Sequence, residues 1–381
     1  MGSFSYFSNN KNTQEKENIK NTKSIILPNP NFRIKQTIVK SNQNCKNICF
    51  KLLSCYEIYK LTNIKSSFFI AYRNKENITQ ISKYDFKETT NITTINIAPM
   101  QIKYFFDDIN NKEYLFIQRI NEIHVFSILN ENSYKKIYVY KEEGIQSRGA
   151  AGCFCGLLPI YDFLLFNDKY NKINYLVISF FYRADCSSMS KKINILKFEK
   201  ERFIIVKKIN TYDSEIFAKK LFLIWEDNIT NLNYLLYNQY NELVLTRIDG
   251  NEIGDKINLE GFTFGDYLGC IISNKDNKSY LYLIDNKSGL LIIIDLNLKK
   301  KVKDLKIDDD IGSIINWNNN YIIFSSKKYI YTFDTNIDRI INKTSINLGE
   351  NIVSINKFIF EENNFYSLIV DISNEIISIK Y

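Results

Sequence analysis

Histidine is nearly absent: His124 is the only one in 381 residues. That excludes histidine-rich metal centres, and it makes a nucleophile–base pair of Cys153 or Cys155 with His124 a poor reading. Proline occurs 4 times and glycine 13 times. Both are scarce for a chain that must turn often, so asparagine, which tolerates left-handed positions, has to build many of the turns. No apolar run approaches the ~20 residues that a membrane-spanning helix needs. The seven cysteines, Cys45, Cys49, Cys55, Cys153, Cys155, Cys186 and Cys270, are odd in number and follow no apolar leader of secretory type. Cys45-x3-Cys49 and Cys153-x-Cys155 lack the paired spacing of zinc sites. Reduced thiols in a cytoplasmic protein are expected, without metal or cofactor.

What is present in quantity is Ile, Asn, Lys, Tyr and Phe. Hydrophobic residues make up 45% of the chain and aromatic residues 14%, ample for a packed core. A chain of 381 residues exceeds what one ordinary core serves, so two domains or one repeat-built domain is expected. The net charge is +8, and residues 1–42 carry +5 of it, seven Lys/Arg against Glu15 and Glu17. The remainder lacks the basic stripe of a nucleic-acid surface, so no nucleic-acid partner is expected. Residues 1–30 are polar with few apolar side chains and read as a disordered basic arm, leaving 31–381 as the folded domain. The arm opens Met1-Gly2-Ser3-Phe4-Ser5-Tyr6. Gly2 fits an N-myristoylation signal, but Tyr6 stands where serine or threonine is usual. Acylation at Gly2 with the basic arm behind it would supply the two signals that stable membrane anchoring needs.

From about residue 47 the chain is a succession of short aromatic and β-branched runs with little helical period. One kind of run recurs: SFFIAY at Ser67, YLFIQR at Tyr114, YLVISF at Tyr175, YLLYNQ at Tyr234, YLYLID at Tyr280, YIIFSS at Tyr321 and YSLIVD at Tyr366. The separations are 47, 61, 59, 46, 41 and 45 residues. Periods in the forties mark repeats of four strands. A partner strand follows each marker, at 78–85, 122–128, 193–199, 243–249, 290–296, 329–335 and 376–381. A fourth strand follows six of them, at 93–98, 136–141, 203–209, 256–261, 301–307 and 342–348. The seventh repeat lacks a fourth strand, which would leave an exposed edge. Either 31–40 or 47–53 can supply it. The second is preferred because it directly precedes the first inner strand, CYEIYKL at 55–61. The expected fold is all-β: a single ring of seven four-stranded blades, closed by pairing of N-terminal and C-terminal strands.

With these repeats the chain resembles a divergent WD-repeat β-propeller. In that family the third strand of a blade ends in Trp-Asp. The corresponding pairs here are Tyr84-Asp85, Ile248-Asp249, Ile294-Asp295 and Phe333-Asp334. No Trp-Asp dipeptide and no Gly-His pair exists, and His124 lies within a third strand. The resemblance implies a non-enzymatic scaffold or adaptor that binds other proteins, here as a monomer. The alternatives are a membrane-tethered adaptor acting through an acylated Gly2, and a propeller enzyme acting on a small molecule.

Other constellations read as ordinary structure. Gly144–Gly156 holds four glycines but lacks the Gly-Lys-Ser/Thr of a phosphate loop and leads into a strand, LLPIYDFLLF. Asp308-Asp309-Asp310 follows Lys299–Lys301 and reads as a solvated turn of alternating charge. The partner site is expected on two long connections of the third repeat, 141–156 and 181–192, which lie on one face of a four-stranded blade. They carry Arg148, Phe154, Tyr182, Arg183, Asp185 and Met189, and residue types such as Arg, Tyr, Phe and Met are enriched in interface cores.

Overall fold

A computed structural model gives the architecture. The described residues are 33–40, 59–61, 67–73, 79–84, 89–95, most of 101–345, and 352–360, 365–372 and 375–380; within the long stretch, 142–146, 149–153, 184–188, 213–220 and 259–266 are among those outside the description. They form 29 strands in seven antiparallel sheets. The first strand, β1, is Arg33–Lys40. The first complete sheet is β2 (Tyr59–Leu61), β3 (Ser67–Arg73), β4 (Thr79–Tyr84) and β5 (Thr89–Ile95). Next come β6 (Gln101–Asp107), β7 (Lys112–Gln118), β8 (Glu122–Asn130) and β9 (Ser133–Lys141). The third sheet has five strands: β10 (Ser147–Arg148), β11 (Phe154–Asp168), β12 (Ile173–Arg183), β13 (Met189–Glu199) and β14 (Arg202–Tyr212). Then follow β15 (Phe222–Asp227), β16 (Leu232–Gln239), β17 (Glu242–Arg247) and β18 (Asp255–Asn258), and β19 (Tyr267–Lys275), β20 (Lys278–Asp285), β21 (Leu290–Asp295) and β22 (Lys300–Lys306). The sixth sheet is β23 (Ile311–Asn318), β24 (Tyr321–Ser326), β25 (Tyr329–Asp334) and β26 (Arg339–Ser345). The last is β27 (Ile352–Phe360), β28 (Phe365–Ile372) and β29 (Glu375–Lys380), with β1 on its far side.

Each recurring aromatic marker falls on the second strand of its four-stranded sheet, from β3 to β28, or on β12, the strand after β11, in the five-stranded sheet. Where their side chains are described, these strands carry buried apolar residues on both faces: Leu115, Phe116 and Ile117 on β7, Leu235 and Leu236 on β16, and Leu281, Leu283 and Ile284 on β20. Continuous apolar runs of this kind suit strands covered on both sides. The core accordingly lies between successive sheets. One cluster joins Phe116 and Val125 to Phe163, Leu176 and Phe198, and the next joins Leu164, Phe166 and Val177 to Phe222, Leu235 and Val244. Two more bridge the fourth sheet to the fifth and the fifth to the sixth, with Trp225 in the former.

Turns that follow the strands repeat one device. Asp107 Oδ1 accepts the backbone N–H of Ile109 and Asn110, and Asn110 Nδ2 donates to Asp107 Oδ2 at 2.8 Å. Asp168 does the same for Tyr170 and Asn171. Asp227 accepts the N–H of Ile229 and the hydroxyl of Thr230. Asp285, Asp295 and Asp334 bind Ser288, Leu298 and Asn336 in the corresponding places. Four residues after each aspartate the backbone turns left-handed, at Asn111, Lys172, Asn231, Gly289, Lys299 and Asp338. A short carboxylate that satisfies loop amides stabilises such turns without many glycines. Gly289 is the exception that needs its glycine: its φ is +63°, and a Cβ there would sit 2.7 Å from the Ile307 carbonyl oxygen.

Strand β1 pairs antiparallel with β29, Thr37 opposite Ile377 and Lys40 opposite Glu375. The pairing thus uses the 31–40 segment rather than the preferred 47–53, which lies outside the described residues. Proximity to the first inner strand carried that preference, yet loop-closure cost grows only logarithmically with length, so a longer connection costs little.

Candidate functional site

The third sheet differs from its neighbours in length. Strand β11 has 15 residues against 7 in β6, although both end in the same aspartate turn, at Asp168 and Asp107. The surplus therefore lies at the other end of the sheet. Strands β12, β13 and β14 each have 11 residues, whereas the second strands β7, β16 and β24 have 7, 8 and 6. At about 3.3 Å per residue, the three or four extra residues of β12 over β16 and β7 in the adjoining sheets carry this sheet roughly 10–13 Å past them.

The two connections expected to be long loops are in good part strand. Ser147 and Arg148 form β10, opposite Cys155 and Phe154. Gly156 stands opposite Arg183 and Leu157 opposite Tyr182; Arg183 in turn stands opposite Met189 and Tyr182 opposite Ser190. The physical reason is propensity: FCGLLPIYDFLLF, ISFFYR and MSKKINIL are rich in aromatic and β-branched residues that continue the ladder. Pro159, which has no N–H to donate, sits inside the register shift between Leu157 and Ile160. The backbone thus brings Arg148, Phe154, Tyr182, Arg183 and Met189 to one end of one sheet. Asp185, Cys186 and Gly2 lie outside the described residues.

The sheet is held to its neighbours by polar contacts as well as apolar packing. Lys103 on β6 is buried and donates to Asp162 Oδ1 of β11 at 3.0 Å and to the Phe163 carbonyl, with its ammonium 4.5 Å from the Phe163 ring centroid. Gln118 Nε2 donates to the Ile160 carbonyl at 2.7 Å. On the far side Lys207 of β14 donates to the carbonyls of Arg247 and Gly250. These contacts fix the base of the projecting end.

The opposite face carries the turns at Asp107, Asp168, Asp227, Asp295 and Asp334 and a set of exposed apolar side chains: Leu129, Tyr170, Ile229, Leu298 and Ile337. Burial together with Glu226 and Asp168 raises the Tyr170 phenol above its ordinary value. Sequence reading missed these positions; for Tyr170, Ile229, Leu298 and Ile337 the signal that would have found them is an aliphatic or aromatic residue two or three places after a strand-ending aspartate.

The remaining sequence candidates have plain settings. His124 lies on β8 with Nε2 2.9 Å from Glu122 Oε2, and burial lowers its pKa despite that contact. The same hydrogen bond lowers the Glu122 carboxyl. Asp309 pairs with Lys343 at 2.9 Å. Cys270 is a buried free thiol whose pKa burial raises. Of the four family-like aspartates, Asp295 and Asp334 cap turns after β21 and β25, Asp249 binds the Arg247 guanidinium, and Asp85 is outside the described residues. Among the described residues no group of three His, Cys, Asp or Glu gathers as metal ligands do, and no helix is long and apolar enough to cross a membrane.

No protein-family model matches this sequence, and no curated protein matches it. Solved structures do. Sqt1 of Saccharomyces cerevisiae, a WD-repeat protein, aligns with a TM-score of 0.58 over 92% of this chain and 98% of its own, at 9% identity. A crystal structure of the BBS1N propeller in complex with ARL6DN, soaked with mercury, aligns with a TM-score of 0.57 over 92% and 96%, at 10% identity. A lead-soaked crystal of the same complex gives 0.57 at 11% identity. At such identities the likeness is one of fold, and the fold is a β-propeller.

Proposed function

We propose that this chain is a seven-bladed propeller, closed into a ring by the β1–β29 pair, that works as a non-enzymatic platform for a protein partner. The observation that carries the reading is the projecting end of the third sheet. It stands about 10–13 Å above the neighbouring blades and gathers Arg148, Phe154, Tyr182, Arg183 and Met189 by strand register. Function concentrates on irregular or raised features carried by a rigid scaffold, and these residue types are those of interface cores. One structural neighbour, BBS1N, was crystallised in complex with a protein, ARL6DN, which supports a propeller of this size as a protein-binding scaffold.

The test is affinity purification from native cells followed by reconstitution from pure components, using the natural chain and the variant Tyr182→Ala/Arg183→Glu. A matched variant of the other face, Tyr170→Asp/Ile229→Asp, serves as the comparison. The reading expects a partner that binds the natural chain and the Tyr170/Ile229 variant alike and loses at least tenfold in affinity, about 1.4 kcal/mol, with the Tyr182/Arg183 variant. A partner that ignores the Tyr182/Arg183 change and is lost with the Tyr170/Ile229 change moves the site to the aspartate-turn face.

A further inference from the structure

The outer edges of the sheets are not equivalent. Strand β22, KKVKDLK, surrounds its single exposed aliphatic, Val302, with lysines. Strand β9 places Lys135 and Lys136 at its exposed middle. Strand β18 is only 4 residues long. Charge and shortness are the usual devices that keep an edge strand from pairing with other chains. Strand β14 is long, and its charges, Arg202, Lys207 and Lys208, leave the stretch 203–206 bare. It is the terminal strand of its sheet, with 11 residues, and it exposes three aliphatic side chains in succession: Ile204 at 52%, Ile205 at 43% and Val206 at 46%. Val206 is the extra residue of a bulge against β13. Bulges also occur between the third and fourth strands of four other sheets, so the bulge does not set β14 apart; among the described side chains, the run of three successive exposed aliphatics does.

We infer that the outer edge of β14 receives an extended peptide segment of a partner protein as an added strand, with aliphatic residues at its centre and an acidic residue toward each end. The charge on β14 selects that chemistry. Arg202 and Lys208 are exposed and bracket the aliphatic triplet, about 20 Å apart along the strand, and the strand itself holds no acid. Main-chain hydrogen bonds along the edge give such a complex its affinity, and side chains give the selection. A second copy of this chain fits less well. Antiparallel self-pairing centred on Ile205 sets Arg202 of one copy opposite Lys208 of the other, twice, and like charges directly opposite are destabilising. The proposal concerns the perimeter of the blade and does not rest on the projecting end being a binding site.

A random decapeptide display library is selected on the full-length chain, and the enriched peptides are synthesised. The result expected is a pool of β-branched aliphatic peptides with acidic residues roughly six positions apart. Their binding should weaken with salt, slow amide exchange across Phe203–Ile209, and fall at least tenfold with Ile205→Lys. A milder variant, Val206→Thr, checks the effect in a chain whose melting temperature is unchanged, and a loss of several-fold is expected there. An enriched pool without acidic bias, one that binds Ile205→Lys equally, or one that protects amides elsewhere overturns the proposal. So does a concentration-dependent dimer that Ile205→Lys dissolves, which would assign the edge to a second copy.

Discussion

Replacing Lys103 by methionine removes the cation from a site that water does not reach. Lys103 is 2% exposed and the Asp162 side chain 9%. The substitution keeps the aliphatic stem but leaves the Asp162 carboxylate buried beside Phe163 with only the Phe163 N–H, at 2.7 Å, to bind it. Breaking a buried pair from one side costs about 3–5 kcal/mol, because an uncompensated charge remains in a low-dielectric site. Removing both charges is different. Lys103→Met/Asp162→Leu replaces the pair by apolar groups, which is often close to neutral, and loses the bonds to the Phe163 N–H and carbonyl, about 1 kcal/mol each. The double variant is therefore expected to be more stable than Lys103→Met alone. Urea unfolding followed by the fluorescence of Trp225 and Trp317, which lie in other sheets, measures both. A loss below about 1 kcal/mol for Lys103→Met, or a double variant equal to the sum of the singles, would refute the reasoning.

Further outcomes are expected. Asp168→Ala removes the acceptor for two backbone N–H groups and the Asn171 amide, and should cost about 1–3 kcal/mol in the same unfolding assay. Asp168→Asn, which keeps an acceptor oxygen, should cost less. Gly289→Ala must strain a left-handed residue against the Ile307 carbonyl and should lower stability by about 1–3 kcal/mol. Burial raises the phenols of Tyr114 and Tyr175 to about 12. A folded-state pKa above the unfolded value near 10 gives stability that is complete below pH ~10 and lost as pH rises toward 12. Phenolate absorbance and circular dichroism should show these tyrosines resisting ionisation until the fold fails in that window. Normal ionisation of every tyrosine near pH 10 in the folded chain would contradict the packing.

Much of the fold was legible because burial on both faces leaves a mark in sequence. Strands such as β7, β16 and β20 are covered on both faces, so YLFI, YLLY and YLYLI carry apolar or aromatic residues at successive positions and stand out. Outer strands such as DKIN and KKVKDLK carry less signal, because one edge and much of their surface meet water. The aspartate turns were legible only in part: Asp295 and Asp334 stand out as family counterparts, whereas Asp107, Asp168 and Asp227 end first strands and match no part of the Trp-Asp pattern. The segments of the candidate site were read as loop and are in good part strand. The glycines of 144–156 suggested irregular chain up to Gly156, yet the apolar runs continue the ladder through Phe154 and past Pro159 with a register shift. The apolar side chains of the aspartate-turn face and the bare edge of β14 were invisible, since exposure of Ile204, Ile205 and Val206 follows from their place at the end of a sheet, not from their type.

Ring closure is tested most directly by a cross-link between the two ends of the chain. Thr37 and Ile377 stand directly opposite each other in the β1–β29 ladder, a Cα separation of about 4.5–5.5 Å that a disulfide spans. The variant Thr37→Cys/Ile377→Cys is oxidised at low protein concentration and mapped by proteolysis and mass spectrometry, with Ile48→Cys/Ile377→Cys as the comparison. The account predicts an intramolecular disulfide between positions 37 and 377 in high yield, with raised resistance to urea, and little bond formation from position 48. Failure of the 37–377 pair to cross-link while the 48–377 pair does, or cross-links found only between molecules, would contradict closure by β1.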